Sequence, residues 1–193
     1  MKVLILDCVK NDFSPELKPA LDKFVEGIES AGGQVSLLNI KDLDIKPCFS
    51  CTTQSSFKFD DKCRCDDDMN RLYPEFRNHD SWVFISHINS NGSTNYLKNL
   101  LDRMEPLFQP VFTLDSMEVA IPPDNKLNGK IALLSSYEYE SADLARNISD
   151  YIDSISLLFS KQSAGSILFE RTRINNARLD KFYDAGKKLI TNE

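Results

Sequence analysis

No apolar run in this chain approaches the roughly 20 residues that a membrane-spanning helix requires, and the opening "MKVLILDC" is too short and too soon charged for a secretory signal. A cytoplasmic protein with no membrane partner is the expectation. Excess positive charge is also missing: the formal net charge is −6, which repels a phosphate backbone and argues against nucleic acid as a partner. There is no Walker-type loop, no HExxH and no nucleophile-elbow string, so triphosphatase, zinc-protease and serine-hydrolase readings gain no support. With only two histidines, histidine catalysis is a narrow option. Five cysteines, an odd number in a chain without an export signal, argue against a disulfide framework.

What the chain does have is an ordinary globular composition, 41% hydrophobic and 27% charged over 193 residues, which suits one domain with a full core. "KVLIL" (2–6) is a short apolar run ending abruptly at Asp7, as a buried central strand does. Ser14 and Pro15 supply a helix cap and first-turn proline. Leu17, Leu21, Phe24, Val25 and Ile28 then recur at helical spacing until Gly32 and Gly33. Strands are predicted at 34–40, 81–87, 129–136 and 165–170, alternating with helices beginning near Asp68, in 90–108, in 141–161 and in 174–190.

Asp66, Asp67 and Asp68 suit a helix N-terminus, and Pro74 should shorten or kink the helix that follows. The Pro-containing connection 106–128 is long, and a short strand is expected at 117–121. Five β-α repeats with short apolar strands predict a doubly wound five-stranded parallel sheet of order 2-1-3-4-5, covered by helices on both faces. The whole chain, 1–193, is read as one domain with a cysteine-containing insertion at 46–68.

Four cysteines fall in "KPCFSCTTQSSFKFDDKCRCDDDM" with spacing Cys48-x2-Cys51-x11-Cys63-x-Cys65. Two pairs are the right count for zinc or an iron-sulfur cluster. The acidic neighbours Asp60, Asp61, Asp66, Asp67 and Asp68 disfavour bare thiolates unless a cation is bound, so a metal site and ordinary thiols both stand. Cys8 reads as a small loop residue. His79 is expected to cap a helix end, Lys98 and Asp102 to form an i, i+4 pair near Arg103, and Phe57, Phe59, Tyr73, Phe76 and Trp82 to be core or dimer contacts.

The strings "KVLIL", "LNIKDLDIKPCFSC", "KCRCDDDMN" and "LKNLLDRM" in this order resemble the NADPH-dependent FMN reductase and iron-sulfur flavoprotein group of flavodoxin-like proteins. The resemblance covers nearly the whole chain. It implies a flavodoxin-like fold and FMN at the carboxyl ends of the strands. It also implies NAD(P)H or a redox protein as partner, a homo-oligomer such as a dimer, and a [4Fe-4S] cluster at Cys48, Cys51, Cys63 and Cys65 in members that carry one. Carried onto this chain, it assigns the FMN phosphate to Lys10, Asn11 and Ser14. The ring falls to Ser86, His87 and Asn89 after the third strand and to Ser135 and Tyr137 after the fourth.

Three departures accompany it. The first loop, "DCVKNDFSPE", has no glycine and carries Asp7, Asp12 and Glu16; the string after the third strand has no proline or aromatic ring; and "SSYEYES" has no glycine. The cluster members' third cysteine is Gln54 here. Two functions follow: an FMN-dependent oxidoreductase, or a flavodoxin-like binding module without FMN, with or without a metal at the cysteines. A cluster-bearing electron carrier lacking flavin is a third.

Overall fold

The computed structural model describes residues 1–9, 14–49, 63, 65–89, 92–93, 95–107, 111–113, 118–120, 129–137, 142–170 and 176–191. The parallel sheet forms as the apolar runs predict. β1 (Lys2–Asp7) pairs with β2 (Gln34–Asn39) on one side and with β3 (Ser81–Asn89) on the other. Beyond β3 lie β7 (Lys130–Tyr137) and β8 (Gln162–Glu170). The order β2-β1-β3-β7-β8 is the expected 2-1-3-4-5.

Each strand between the edges alternates its side chains between two apolar layers. Leu4, Leu6, Trp82, Phe84, Ile131 and Leu133 face α2 (Met69–Asn78), α3 (Asn95–Asp102) and α4 (Ala142–Leu158). Val3, Ile5, Val83, Ile85, Ala132 and Leu134 face α1 (Ser14–Ser30) and α5 (Asn176–Ile190). No helix among the described residues is long and apolar enough to cross a membrane.

Several local expectations hold. α2 passes through Pro74 and ends one turn later at Asn78. His79 closes that helix, its ring N–H at Nδ1 donating to the Glu75 carbonyl at 2.7 Å, with Ser36 Oγ 2.9 Å from Nε2. Lys98 pairs with Asp102 across one turn of α3. Tyr73, Phe76 and Trp82 are core residues: the Phe76 and Trp82 rings pack edge to face at 4.9 Å, and the indole N–H donates to the Phe76 carbonyl at 3.1 Å. Phe57 and Phe59 lie outside the described residues.

Other elements extend the sequence reading. The strand predicted at 117–121 is β6 (Glu118–Ala120). It pairs antiparallel with β5 (Val111–Thr113), which has too few residues to show a period. The two-residue β4 (Gly92–Ser93) folds back on β3. β8 starts three residues before Gly165. Its register slips between the Ile131 and Leu133 rungs, where Gly165 has φ +80°, a conformation open to glycine. The polar, exposed "QSAG" start of that edge strand carries no apolar signal.

α1 and α5 approach so closely that a Cβ on Gly27 would lie 2.1 Å from the Tyr183 carbonyl oxygen, and one on Gly186 would lie 2.1 Å from the Phe24 carbonyl oxygen. In an open helix, alanine at these positions would add about 1 kcal/mol through propensity. Here the obstacle is backbone, which no rotamer change relieves, so the upper part of the roughly 1–3 kcal/mol overpacking cost applies. Gly186→Ala is expected to lower the unfolding free energy by about 2 kcal/mol net in urea denaturation. A stability gain would show that the helices separate freely.

Candidate flavin site at the carboxyl ends of the strands

Ligands of doubly wound sheets bind beyond the carboxyl ends of the strands, and the chain changes character there in register. Ile85 of β3 pairs with Leu134 of β7; the next rungs pair Ser86 with Ser135, His87 with Ser136, and Ile88 with Tyr137. Two strands that are apolar through their centres thus switch to hydroxyls and an imidazole at the same rung. All of these polar residues are buried. The Ser135 hydroxyl donates to the Ser86 carbonyl at 3.0 Å, and His87 Nδ1 lies 2.9 Å from Ser136 Oγ. Pleating places Ser86, Ser135 and Tyr137 on the α2–α4 side and His87 and Ser136 on the α1–α5 side.

On the neighbouring strand, Asp7 ends β1, and one carboxylate oxygen accepts the Val9 N–H at 2.9 Å. Burial raises the Asp7 carboxyl above its ordinary value, against the opposing pull of that N–H and of Lys41. Ser136 and Asp7 were not among the sequence candidates. Ser136 shares the "SS" string with Ser135, and the cross-strand register alone brings it to His87.

Asn89 ends β3, and Ser14 is the first residue of α1. Lys10, Asn11 and the remainder of the first loop lie outside the described residues, as do residues 90–91 and 138–141. A flavin ring presents carbonyl and imide groups at its polar edge, and a buried rim of hydroxyls and an imidazole offers donors and acceptors to such an edge. The described residues therefore fit the ring end of FMN. Of the residues that the resemblance assigns to the phosphate, Lys10 and Asn11 lie outside the described residues and Ser14 opens α1.

A second polar cluster holds the base of the cysteine segment. Arg103, following α3, is 1% exposed and forks onto Asp67, with N–H···O distances of 2.7 and 2.9 Å. The same guanidinium donates to the Lys46 carbonyl at 2.8 Å, and Asp67 accepts the Lys46 N–H at 3.0 Å. Asp44 and Asp68 exchange backbone and carboxylate bonds of 3.0 and 2.9 Å. Both ends of the 46–68 segment are thus tied to each other and to α3.

Asp67, more than Asp68, caps α2: its Oδ1 accepts the Met69 N–H at 3.1 Å, whereas Asp68 makes no side-chain cap bond. Burial alone would raise Asp67; the Arg103 guanidinium and the Lys46 and Met69 N–H groups overcome it and hold the carboxyl below its ordinary value.

Cys63 is half-buried and Cys65 buried beside this pair, and no disulfide joins the described cysteines. Burial raises the Cys63 thiol, but the Cys65 N–H and the Arg103 guanidinium more than offset it and bring it below its ordinary value. Cys65 moves the other way because burial dominates. Cys48 is half-buried, and Cys51 lies outside the described residues. Among the described residues, no group of three or more His, Cys, Asp or Glu side chains is placed to hold a metal ion.

The sequence matches the family model of NADPH-dependent FMN reductases over residues 1–157. A search of curated proteins finds no match. Among solved structures, the chain is similar to an NAD(P)H:quinone oxidoreductase from Methanothermobacter marburgensis, with TM-score 0.69 and 16% identity over 98% of this chain and 96% of that one. It is similar to a flavone reductase with TM-score 0.69 and 15% identity, covering 98% of this chain but 62% of the flavone reductase. Flavodoxin 1 from Bacillus cereus superposes with TM-score 0.59 and 9% identity over 98% and 97% of the two chains. These likenesses establish the flavodoxin-like fold. The family match, which spans most of the chain and includes β1, β3 and β7, shows that the protein belongs to the NADPH-dependent FMN reductase family.

Proposed function

We propose that the protein binds FMN at the carboxyl ends of β1, β3 and β7 and works as an FMN-dependent oxidoreductase fed by NADPH or NADH. One observation carries this reading: in a member of this family, β3 and β7 turn from apolar to hydrogen-bonding at matched rungs, Ser86 with Ser135 and His87 with Ser136. Bound FMN supplies the hydride and electron chemistry. The chain's own residues bind and orient it. Ser86 and Ser135 on the α2–α4 side of the sheet and His87 on the α1–α5 side form the strand-end rim that meets the ring, with Asn89 and Tyr137 at its margin. Lys10, Asn11 and Ser14 meet the phosphate. The buried rim keeps water from the ring edge, where each hydrogen bond is stronger than in bulk solvent. A homo-oligomer, as the resemblance implies, located in the cytoplasm, completes the proposal.

The test is the visible spectrum of protein purified without oxygen, before and after adding excess FMN and desalting. Flavin bands should persist at one FMN per chain. His87→Ala should weaken FMN binding about tenfold, the effect of losing about 1.4 kcal/mol of hydrogen bonding, with an unchanged circular dichroism spectrum. A folded, colourless protein that keeps no FMN would overturn the assignment and favour the binding-module reading, to which the glycine-free first loop belongs. A broad brown shoulder with stoichiometric iron and sulfide would add a cluster at Cys48, Cys51, Cys63 and Cys65.

A further inference from the structure

The two histidines of the chain each meet a serine hydroxyl, and the two arrangements are opposite in sense. At His79, Nδ1 faces the Glu75 carbonyl at 2.7 Å. A carbonyl only accepts, so Nδ1 carries the proton and Nε2 accepts from the Ser36 hydroxyl at 2.9 Å. At His87 it is Nδ1 that lies 2.9 Å from a hydroxyl, that of Ser136. Both residues are buried, Ser136 at 1% exposure and His87 at 3%. Among the described residues, this imidazole is the one hydrogen-bond partner of the Ser136 hydroxyl. The reverse sense, Nδ1–H donating to Oγ, would leave the hydroxyl proton buried without an acceptor, at the full cost of its desolvation. The hydroxyl therefore donates to Nδ1, and the neutral ring carries its own proton on Nε2.

We propose that Ser136 is a positioning residue of the flavin site: by donating to His87 Nδ1 it makes Nε2 a hydrogen-bond donor, so that the imidazole takes the flavin ring by a carbonyl oxygen and not by its imide N–H. The choice of tautomer decides what the end of β3 recognises. The alternative tautomer would offer a lone pair on Nε2 and would suit the imide instead. Ser136 reaches the imidazole because the β3–β7 register sets the two residues on one rung. The neighbouring rung does not compete for this hydroxyl, since Ser135 donates to the Ser86 carbonyl at 3.0 Å. Ser136 acts through the imidazole, by fixing which nitrogen is protonated and by holding the ring against rotation. This role rests on the FMN binding proposed above for its ligand, while the tautomer rests on the geometry of the chain alone.

Long-range proton–nitrogen NMR spectra of the full chain, labelled with nitrogen-15 in histidine and held at about pH 8, above the ordinary histidine value, read both tautomers at once. His79 should be protonated on Nδ1 and His87 on Nε2, with His87→Ala assigning the signals. In Ser136→Ala the His87 signals should move towards a mixture of tautomers. FMN binding, followed by quenching of flavin fluorescence, should weaken about fivefold in the same variant. In a His87→Ala background the Ser136→Ala change should alter the affinity by less than about twofold, because the hydroxyl then has no ring to act through. Circular dichroism checks that each variant is folded. His87 protonated on Nδ1 in the wild type would overturn the proposal, as would an equal loss of affinity from Ser136→Ala with and without the imidazole. FMN bound equally by wild type and Ser136→Ala would overturn the role of Ser136 and leave the flavin reading standing. A wild-type protein that takes up no FMN would overturn both.

Discussion

Arg103→Leu is expected to remove roughly 3–5 kcal/mol of unfolding free energy, the cost of leaving one member of a buried ion pair without its partner. The side chains of Arg103 and Asp67 are both 0% exposed, so water cannot take over the role of the lost guanidinium. The change also strips the Lys46 carbonyl of a donor. Urea denaturation should show the loss as a lower midpoint with little change in slope. Replacing Arg103 by Met and Asp67 by Leu together should cost much less than the single change, because no charge is then stranded. A loss below about 1 kcal/mol in Arg103→Leu would put the pair in the class of exposed salt bridges.

Acid should act on the same pair. The folded-state value of Asp67 is depressed, so its contribution is fully present above the ordinary carboxylate range and is lost as pH falls through the folded value.

Lys161 should behave in the opposite sense. It is 6% exposed, donates to the Asp80 carbonyl and lies 4.4 Å from the centre of the Trp82 ring. Burial brings its pKa down to about 8, with Asp80 pulling the other way. A lysine with a depressed folded-state value penalises the fold wherever the unfolded chain is protonated. The penalty is complete below about pH 8, shrinks as pH rises, and is gone above the ordinary lysine value. At about 1.4 kcal/mol per pH unit it amounts to about 3 kcal/mol, from which the cation–π contact and the hydrogen bond have to be subtracted in any replacement. Lys161→Met is therefore expected to gain about 2 kcal/mol at neutral pH, with the difference from wild type vanishing towards pH 10.5. Paired denaturation curves at neutral and alkaline pH read this directly. An equal difference at both values would mean that the charge is not what the substitution removed.

These two residues also mark where sequence reasoning stops. The five strands and the helices were legible because each announces itself over a few neighbouring positions: "KVLIL" is apolar throughout, and Leu17, Phe24 and Ile28 repeat at helical spacing. His79 and the Lys98–Asp102 pair were legible for the same reason, since each partner lies within one helical turn. Arg103 and Asp67 are separated by 36 positions. The acidic run 66–68 has an adequate local explanation in the helix N-terminus, which conceals that one of its members is clamped by an arginine from α3. Lys161 looks like an ordinary residue at the end of a helix, and only the packing of Trp82 shows that it is enclosed. At the candidate flavin site, Ser86, His87, Ser135 and Tyr137 were found one strand at a time. Their alignment into matched rungs is a property of the β3–β7 register, which no single strand encodes.

The close approaches at Gly27 and Gly186 join α1 to α5. On a ribosome working at about 5–20 residues per second, roughly 8–30 s separate the emergence of those two glycines. During that interval Val3, Ile5, Val83 and Ile85 have α1 beside them but lack Phe182 and Leu189. A nascent chain in this state holds half of one core layer uncovered until α5 has emerged. The closing move belongs to α5, and a chain released before it is made would present an open sheet face to the chaperones around the exit tunnel.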